Sequence, residues 1–406
     1  MFERFESAKE HTAFLSLEEK TRPLLRQKAA FHRLTFAQIQ LLITIAVDLQ
    51  MWGEDIEDVW GEGDFGYLKK RYEELKNAPK KYDKNLKQKP IYRQNSLHIQ
   101  EKSAAGFGRC PVASEKTRCC NLLTLDAYEG CGFGCSYCSI QSFYQDIVID
   151  RDFATKLFAL KFDKDKIYHI GTGQSSDSLM WGNSGGVLEA LIEFARQNPN
   201  VILEFKSKSD NVAYLLKTPL PSNIICTFSL NPQTVIDNEE HLTASLKRRI
   251  EAAETLAQNG VLVGFHFHPM VWFEGWQDEY EAAAKELMQK FNPKSVALIS
   301  IGTLTFTKPV LRQIRAGAAQ TKILQMPLLQ TQGKFSYPLG IKKQMFSTLY
   351  KAFAAWHGEV FFYLCMEDAS LWSEVFGYEY KDNETFEEAM KRAYMAKIEA
   401  HGQREI

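Results

Sequence analysis

Cys131-Gly-Phe-Gly-Cys135-Ser-Tyr-Cys138 is the stretch of this chain best equipped for chemistry. Three thiols at C-x3-C-x2-C spacing become metal ligands once ionised. Iron–sulfur clusters normally take four thiolates. Three thiolates hold three irons of a cubane and leave the fourth open, as a catalytic metal site does for substrate or cofactor. The spacing points to a [4Fe–4S] cluster on Cys131, Cys135 and Cys138. On the residues alone, other readings stay open. A zinc site would want a fourth donor, for which Cys119, Cys120 and His169 are available. Cys135 and Cys138 by themselves would fit a redox dithiol, and three buried inert thiols would do nothing. Gly132 and Gly134 suit a loop that wraps closely round a cluster and adopts unusual dihedrals. Six of the eight cysteines fall between positions 110 and 138. In a long chain without a secretory leader, that clustering favours metal chemistry over disulfides.

The elements around the motif must position it. From residue 121, short apolar runs alternate with helical ones. The expected strands are Leu122–Tyr128, Ile167–Gly171, Val201–Ser207, Ile224–Leu230, Val261–Phe267 and Val296–Ile301. Expected helices lie between them, around 151–160, 185–197, 210–216, 242–259, 277–290 and 308–316. Six strand–helix units in succession make a parallel α/β sheet, here a partial (β/α)6 TIM-like barrel open on one side. The cysteine motif follows the first strand, and functional residues of such barrels sit at the C-terminal ends of strands. Gly260 is placed to cap the helix before the fifth strand.

The barrel accounts for residues 121–317. Residues 1–120 are expected to be mainly helical, with Thr35 capping a helix through FAQIQLLITIAVDLQMW. Residues 318–406 form a small α+β extension whose last 25 residues read as an amphipathic helix. Between Lys69 and Lys102 the chain carries eleven basic residues against four acidic ones. That segment is either a solvated helix and linker or a surface that contacts nucleic acid. The chain as a whole has 406 residues and a net charge of −1, so no global polycationic signal exists. MFERFESAKE has no apolar core, so no secretory signal is expected. The apolar stretch behind it is broken by Asp48 and is too short to span a bilayer. The expectation is a cytoplasmic protein without a membrane partner.

A C-x3-C-x2-C motif after the first strand of such a barrel resembles the radical S-adenosylmethionine superfamily. The resemblance implies that the open iron chelates the amine and carboxylate of S-adenosylmethionine. Reduction by an external flavodoxin- or ferredoxin-type donor then yields a 5′-deoxyadenosyl radical. Six further stretches are similar to the spore photoproduct lyase family of DNA-repair enzymes, in the family's order. They are YHIGTGQSSDSL (168–179), LEFKSKSDNVAYLL (203–216), FSLNPQTVI (228–236), SLKRRIEAAETLAQNGVLVGFHFHPM (245–270), EGWQDEY (274–280) and FTKPVLRQI (306–314). The similarity covers roughly 121–365. It implies that Ser176 contacts the methionine moiety of the cofactor, that Lys208 pairs with its carboxylate, and that Tyr137 lies close to it. Two positions depart from the pattern. Gln174 stands where the family's lyases have a hydrogen-donating cysteine, and Ser139 where they have a tyrosine.

Ser229 and Asn231, at the end of the fourth strand, are further candidates for cofactor or substrate contact. His266 and His268 point to one face of the fifth strand and would line the barrel if that face is inward. Cys226 should face the helices, opposite Thr227 and Ser229. Cys365, ending an apolar run, reads as core. Cys110, Cys119 and Cys120 are structural thiols, a substitute hydrogen donor or ligands of a second metal. Trp272, Phe273 and Trp276 suggest a lid, a core cluster or a platform for a base. Three functional readings follow: a lyase-like radical enzyme acting on damaged pyrimidines in DNA, a radical enzyme for a peptide or small molecule, and a metal-stabilised nucleic-acid-binding protein without catalysis.

Overall fold

The structure is a computed structural model that describes residues 12–82, 97–102, 106–110, 117–144, 146–317, 320–331 and 333–402. The apolar runs become an eight-stranded sheet that curls into an open half-barrel. Its strands are β1 (Phe107–Arg109), β2 (Leu123–Leu125), β3 (Tyr168–Thr172), β4 (Val201–Ser207), β5 (Ile224–Ser229), β6 (Leu262–Met270), β7 (Val296–Thr303) and β8 (Phe361–Leu364). They lie in the order 8-7-6-5-4-3-2-1. Strands β2 to β8 are parallel, and β1 covers the β2 edge antiparallel. Helices cover the outer face, so β3 to β7 are buried on both sides and read as almost continuous apolar runs.

The six expected strands are β2 to β7, and β8 carries the sheet one strand further. The first is shorter than expected, because the chain turns away at Asp126. The Asp126 carboxylate accepts the backbone N–H groups of Gln174 and Ser175 at 3.0 and 3.2 Å. Tyr128–Glu129 then pairs with Ile147–Asp150 in a separate small sheet.

Between strands, the helices bury one face each. Val187–Gln197 buries Val187, Leu188, Leu191, Ile192, Phe194 and Ala195, the 3–4 spacing of an amphipathic helix. Leu246–Gln258 starts at Ser245, whose hydroxyl caps Arg248 N–H, and ends before Gly260 at φ +80°.

The N-terminal helix spans Phe36–Trp52, starting after Thr35 as expected. Thr35 and Gln38 form a reciprocal capping box, with the Gln38 side chain 2.8 Å from Thr35 N–H. Thr35→Ala should lower stability by about 1 kcal/mol in denaturant titration. Asp48 is buried on this helix and holds the Arg315 guanidinium at 2.7 and 2.9 Å, with the Tyr72 hydroxyl at 2.7 Å. That buried cluster fastens the N-terminal helices to the helix Lys308–Ala316.

The final helix, Asn383–Gly402, packs against β4, β7 and β8. Its Tyr394 is fully buried and meets His169 edge to face at 5.3 Å. No helix among the described residues is long and apolar enough to cross a membrane.

Candidate active site

The cysteine loop is held by very little regular structure. Gly134–Cys135 pairs antiparallel with Glu240–His241, placing Cys135 opposite Glu240. Ser136 N–H donates to the Glu239 carbonyl at 2.9 Å, and Cys138 N–H to the Cys135 carbonyl at 3.1 Å. Gly132 and Gly134 serve space rather than unusual dihedrals, since neither has positive φ. A Cβ on Gly132 would lie 2.5 Å from Met180 Cε, and one on Gly134 would lie 3.2 Å from His241 Cβ.

Burial pushes the pKa of all three thiols up. The Lys208 ammonium opposes this at Cys135 and Cys138, which places a cation beside two of them. Thiols in such a pocket ionise when a metal supplies the compensating charge. Zinc would want a fourth donor beside the three thiols. The donors named for zinc are elsewhere: His169 bonds Glu204, and Cys119 and Cys120 adjoin Cys365. The residues present therefore fit a cluster with one open iron.

The loop after β3, which carries Ser176, meets the cysteine loop through its neighbours: Gly130 N–H donates to the Ser175 carbonyl at 2.9 Å, and the Asp177 carboxylate is close enough to Cys131 to raise its thiol's pKa. Gly173 is required there: at φ +80°, a Cβ would lie 2.6 Å from Ser178 Oγ and 2.9 Å from the Lys206 carbonyl. Asp177 anchors the turn. Its carboxylate accepts Leu179 N–H, Met180 N–H, the Ser207 hydroxyl and Lys208 N–H, all between 2.7 and 3.0 Å. Asp126 holds the preceding two residues. Ser176 thus sits between two carboxylate-anchored turns. Its hydroxyl is buried and has no hydrogen-bond partner. A buried hydroxyl left unpaired is costly, and a ligand that bonds it would remove that cost.

Lys208 extends from the end of β4 to the same site. Its ammonium donates to the Tyr137 hydroxyl and to Glu240 Oε1, each at 2.8 Å. Tyr137 also donates to Glu240, and Asn231 Nδ2 donates to the same oxygen at 2.7 Å. Glu240 Oε2 pairs with the fully buried Arg249 at 2.7 Å. Burial alone would raise the Glu240 pKa, but Lys208 and Arg249 outweigh it and hold the carboxyl far below its ordinary range. Of the expected cofactor contacts, Tyr137, Lys208 and Asn231 thus meet on one carboxylate. Asn231 Oδ1 is taken by the Tyr280 hydroxyl at 2.7 Å. Ser229 is buried nearby and gives its carbonyl to Arg249 at 2.8 Å.

Deeper in the barrel, Glu204 on β4 bridges His169 and His266 at 2.8 and 2.7 Å and accepts the Thr227 hydroxyl at 2.7 Å. These contacts establish the inward faces of β3 to β6, so His266 lines the interior as expected. Burial, reinforced by Lys206, lowers its pKa to about 4 and leaves it neutral. Cys226 lies on the opposite face and is fully buried. Cys365 packs against the hydrophobic core. It is half-buried at the end of β8, two residues beyond the inward-facing Tyr363, with Cys110, Cys119 and Lys206 close enough to act on its thiol. Cys110, Cys119 and Cys120 therefore gather there and not at the cluster motif.

Phe273 and Trp276 are buried core, and only Trp272 is partly open. In the basic segment, residues 83–96 lie outside the described residues. Lys69, Lys70 and Arg71 are exposed on their helix. Lys80 is the exception: it is fully buried and donates to the Trp272 carbonyl at 3.2 Å and the Tyr337 hydroxyl at 3.1 Å. Burial lowers its pKa to about 7. Between pH 7 and its ordinary value of 10.5 the unfolded chain binds the extra proton, so stability rises with pH across that window. Chemical denaturation at several pH values should show wild type gaining several kcal/mol over Lys80→Met between pH 7 and 10.5. A parallel pH dependence in both proteins would contradict this.

Asp126, Asp177, Glu204, Glu239, Glu240 and Arg249 escaped the sequence reading. Only Asp177 left a usable signal, an acidic residue in a Gly/Ser turn, where carboxylates bond the backbone two residues on.

A family model described as spore photoproduct lyase matches residues 126–351, more than half of the chain. The chain belongs to the spore photoproduct lyase family. A spore photoproduct lyase of Clostridium acetobutylicum is 28% identical over 179 residues, which are 42% of this chain and 53% of that protein. One from Bacillus subtilis is 32% identical over 142 residues, 34% of this chain and 40% of its own length. The chain thus spans about half the length of the curated relatives it matches. A spore photoproduct lyase double mutant, solved with bound AdoMet and dinucleoside spore photoproduct, superposes with a TM-score of 0.56 at 20% identity. The match covers 66% of this chain and 82% of that one, and it carries the half-barrel fold. The family match stops short of residues 1–125, which include the helices fastened by Asp48.

Proposed function

We propose that this chain is a radical S-adenosylmethionine enzyme of the spore photoproduct lyase type, acting on damaged pyrimidines in DNA. The observation that carries the reading is the unpartnered, buried Ser176 hydroxyl, next in sequence to Asp177, which accepts Lys208 N–H, with the Lys208 ammonium beside Cys135 and Cys138. Cys131, Cys135 and Cys138 would hold the cluster. When bound, the cluster and S-adenosylmethionine would supply a 5′-deoxyadenosyl radical. The protein's own part is to bind and orient. Lys208 offers a charge-assisted bond to a carboxylate, Ser176 offers a hydroxyl, and Glu240 fixes Lys208 and Tyr137 in place. The neutral His266, bonded to Glu204, gives the interior a polar wall.

The nucleic-acid part of the reading draws on the relatives, one of which was solved with a dinucleoside lesion. A base inside a duplex must be exposed before it can reach a buried site. The exposed Lys69, Lys70 and Arg71 would grip phosphates, and their neutralisation should weaken binding and flatten its salt dependence. The reductant would be a flavodoxin- or ferredoxin-type protein, and the compartment the cytoplasm.

One observation favours a second reading. Gln174 occupies the position of the hydrogen-donating cysteine, and an amide does not readily give up a hydrogen atom. A radical enzyme for a peptide or small molecule would not need that thiol. The two readings separate in a single-turnover experiment with deuterated S-adenosylmethionine and ultraviolet-damaged oligonucleotides. Repair of the lesion or deuterium exchange into it supports the DNA reading. Cofactor cleavage with no change in any damaged oligonucleotide would move the substrate to the second class.

A further inference from the structure

The segment that follows the helix Phe65–Asn77 does not stay with the N-terminal helices. Lys80 forms a bridge with Phe273, and Glu274 N–H donates to the Lys80 carbonyl at 2.8 Å. Tyr82 packs its ring 5.7 Å from that of Phe273 and donates its hydroxyl to Glu239 Oε1 at 2.8 Å. Glu239 is fully buried. Its Oε1 also accepts Lys322 N–H at 3.1 Å, and its Oε2 accepts the hydroxyls of Thr321 and Ser136. Its carbonyl takes Ser136 N–H. Ser136 lies between Cys135 and Cys138, and both its backbone and its side chain end on this one glutamate.

The cysteine loop has only a two-residue strand pairing of its own, so a few bonds set its position. One of the groups that fixes Glu239 comes from a part of the chain outside the family match. We propose that Tyr82 and Glu239 are a positioning pair through which the N-terminal region holds the loop between Cys135 and Cys138, so that the environment of a bound cluster depends on that region. The inference rests on the reading that the cysteines hold a cluster. Neither residue touches reacting atoms. They act through Ser136.

The test compares Tyr82→Phe with Tyr72→Phe in the full chain. Each loses one hydroxyl from the N-terminal region. The Tyr72 hydroxyl ends on Asp48, away from the cysteine loop. After anaerobic reconstitution, two readouts report on the cluster: the EPR spectrum of its reduced form and the rate of iron loss to a chelator. Tyr82→Phe should shift the EPR signal and speed iron loss about tenfold, as expected for one lost bond to a buried carboxyl group. Tyr72→Phe should lower the melting temperature and leave both cluster readouts at wild-type values. Glu239→Gln, which keeps an acceptor for Tyr82, should fall between wild type and Glu239→Ala. If Tyr82→Phe lowers the melting temperature but keeps the wild-type EPR signal and iron-loss rate, the pair is merely structural and the proposal is overturned. A wild-type chain that takes up no iron and sulfide overturns the cluster reading as well, so the two failures are distinct.

Discussion

Glu240→Ala is expected to destabilise the protein by about 3–5 kcal/mol, because it leaves the fully buried Arg249 without its counter-charge. Lys208, Tyr137 and Asn231 lose their shared acceptor at the same time. Urea denaturation measures the loss, and its pH dependence identifies the cause. The Glu240 carboxyl is held well below its ordinary value of 4.5 in the folded state. Its contribution is present above that value and is lost as pH falls towards the folded pKa, where the native state must also take up the proton. The difference between wild type and variant should therefore be constant near neutrality and shrink in acid. A difference under 1 kcal/mol, or one that grows in acid, would contradict the role of Glu240 as the counter-charge of Arg249.

Lys208→Met is expected to act on the ligand more than on the fold. Glu240 keeps Arg249, Asn231 and Tyr137, so the hub survives. What disappears is the cation beside Cys135 and Cys138 and the charge-assisted bond it offers a carboxylate. Affinity of the reconstituted protein for S-adenosylmethionine should fall roughly 10- to 100-fold, the range of one bond to a charged partner. Equilibrium binding measures this, with cluster content checked alongside. A variant that loses stability but binds the cofactor normally would make Lys208 a structural partner of Glu240 alone.

The barrel was legible because its strands are buried on both faces and separated by helices with regular apolar spacing. Six strands and the helices between them fall within a few residues of expectation. The β8 strand reads only as an apolar run, since four residues are too few to carry a period. The end of β2 was misplaced because the chain leaves the sheet for an electrostatic reason, the backbone amides that Asp126 collects from a loop 48 residues away. The cysteine motif was singled out by type and spacing, and Ser176 and Lys208 by resemblance. The carboxylates that hold those side chains in place were not. Glu239 and Glu240 look like ordinary surface residues at a helix end, and their burial depends on cations and hydroxyls far away in sequence. Long-range pairing also explains Lys80, which looks like any other of the eleven basic residues and is the fully buried one among those described.

Gly132 makes a related point. The residue was expected for its dihedral freedom and is used instead for the room it leaves to Met180 and Trp181. Both reasons read the same in a sequence. Only the neighbours distinguish them.

The most direct test is S-adenosylmethionine cleavage by the full chain, reconstituted anaerobically with iron and sulfide and reduced, beside a Cys135→Ala control. Wild type should form 5′-deoxyadenosine and the variant none. A fully loaded wild-type cluster that forms no 5′-deoxyadenosine with strong reductant and damaged DNA, and whose EPR signal does not respond to S-adenosylmethionine, would contradict the account and favour a protein that uses its metal only to bind nucleic acid.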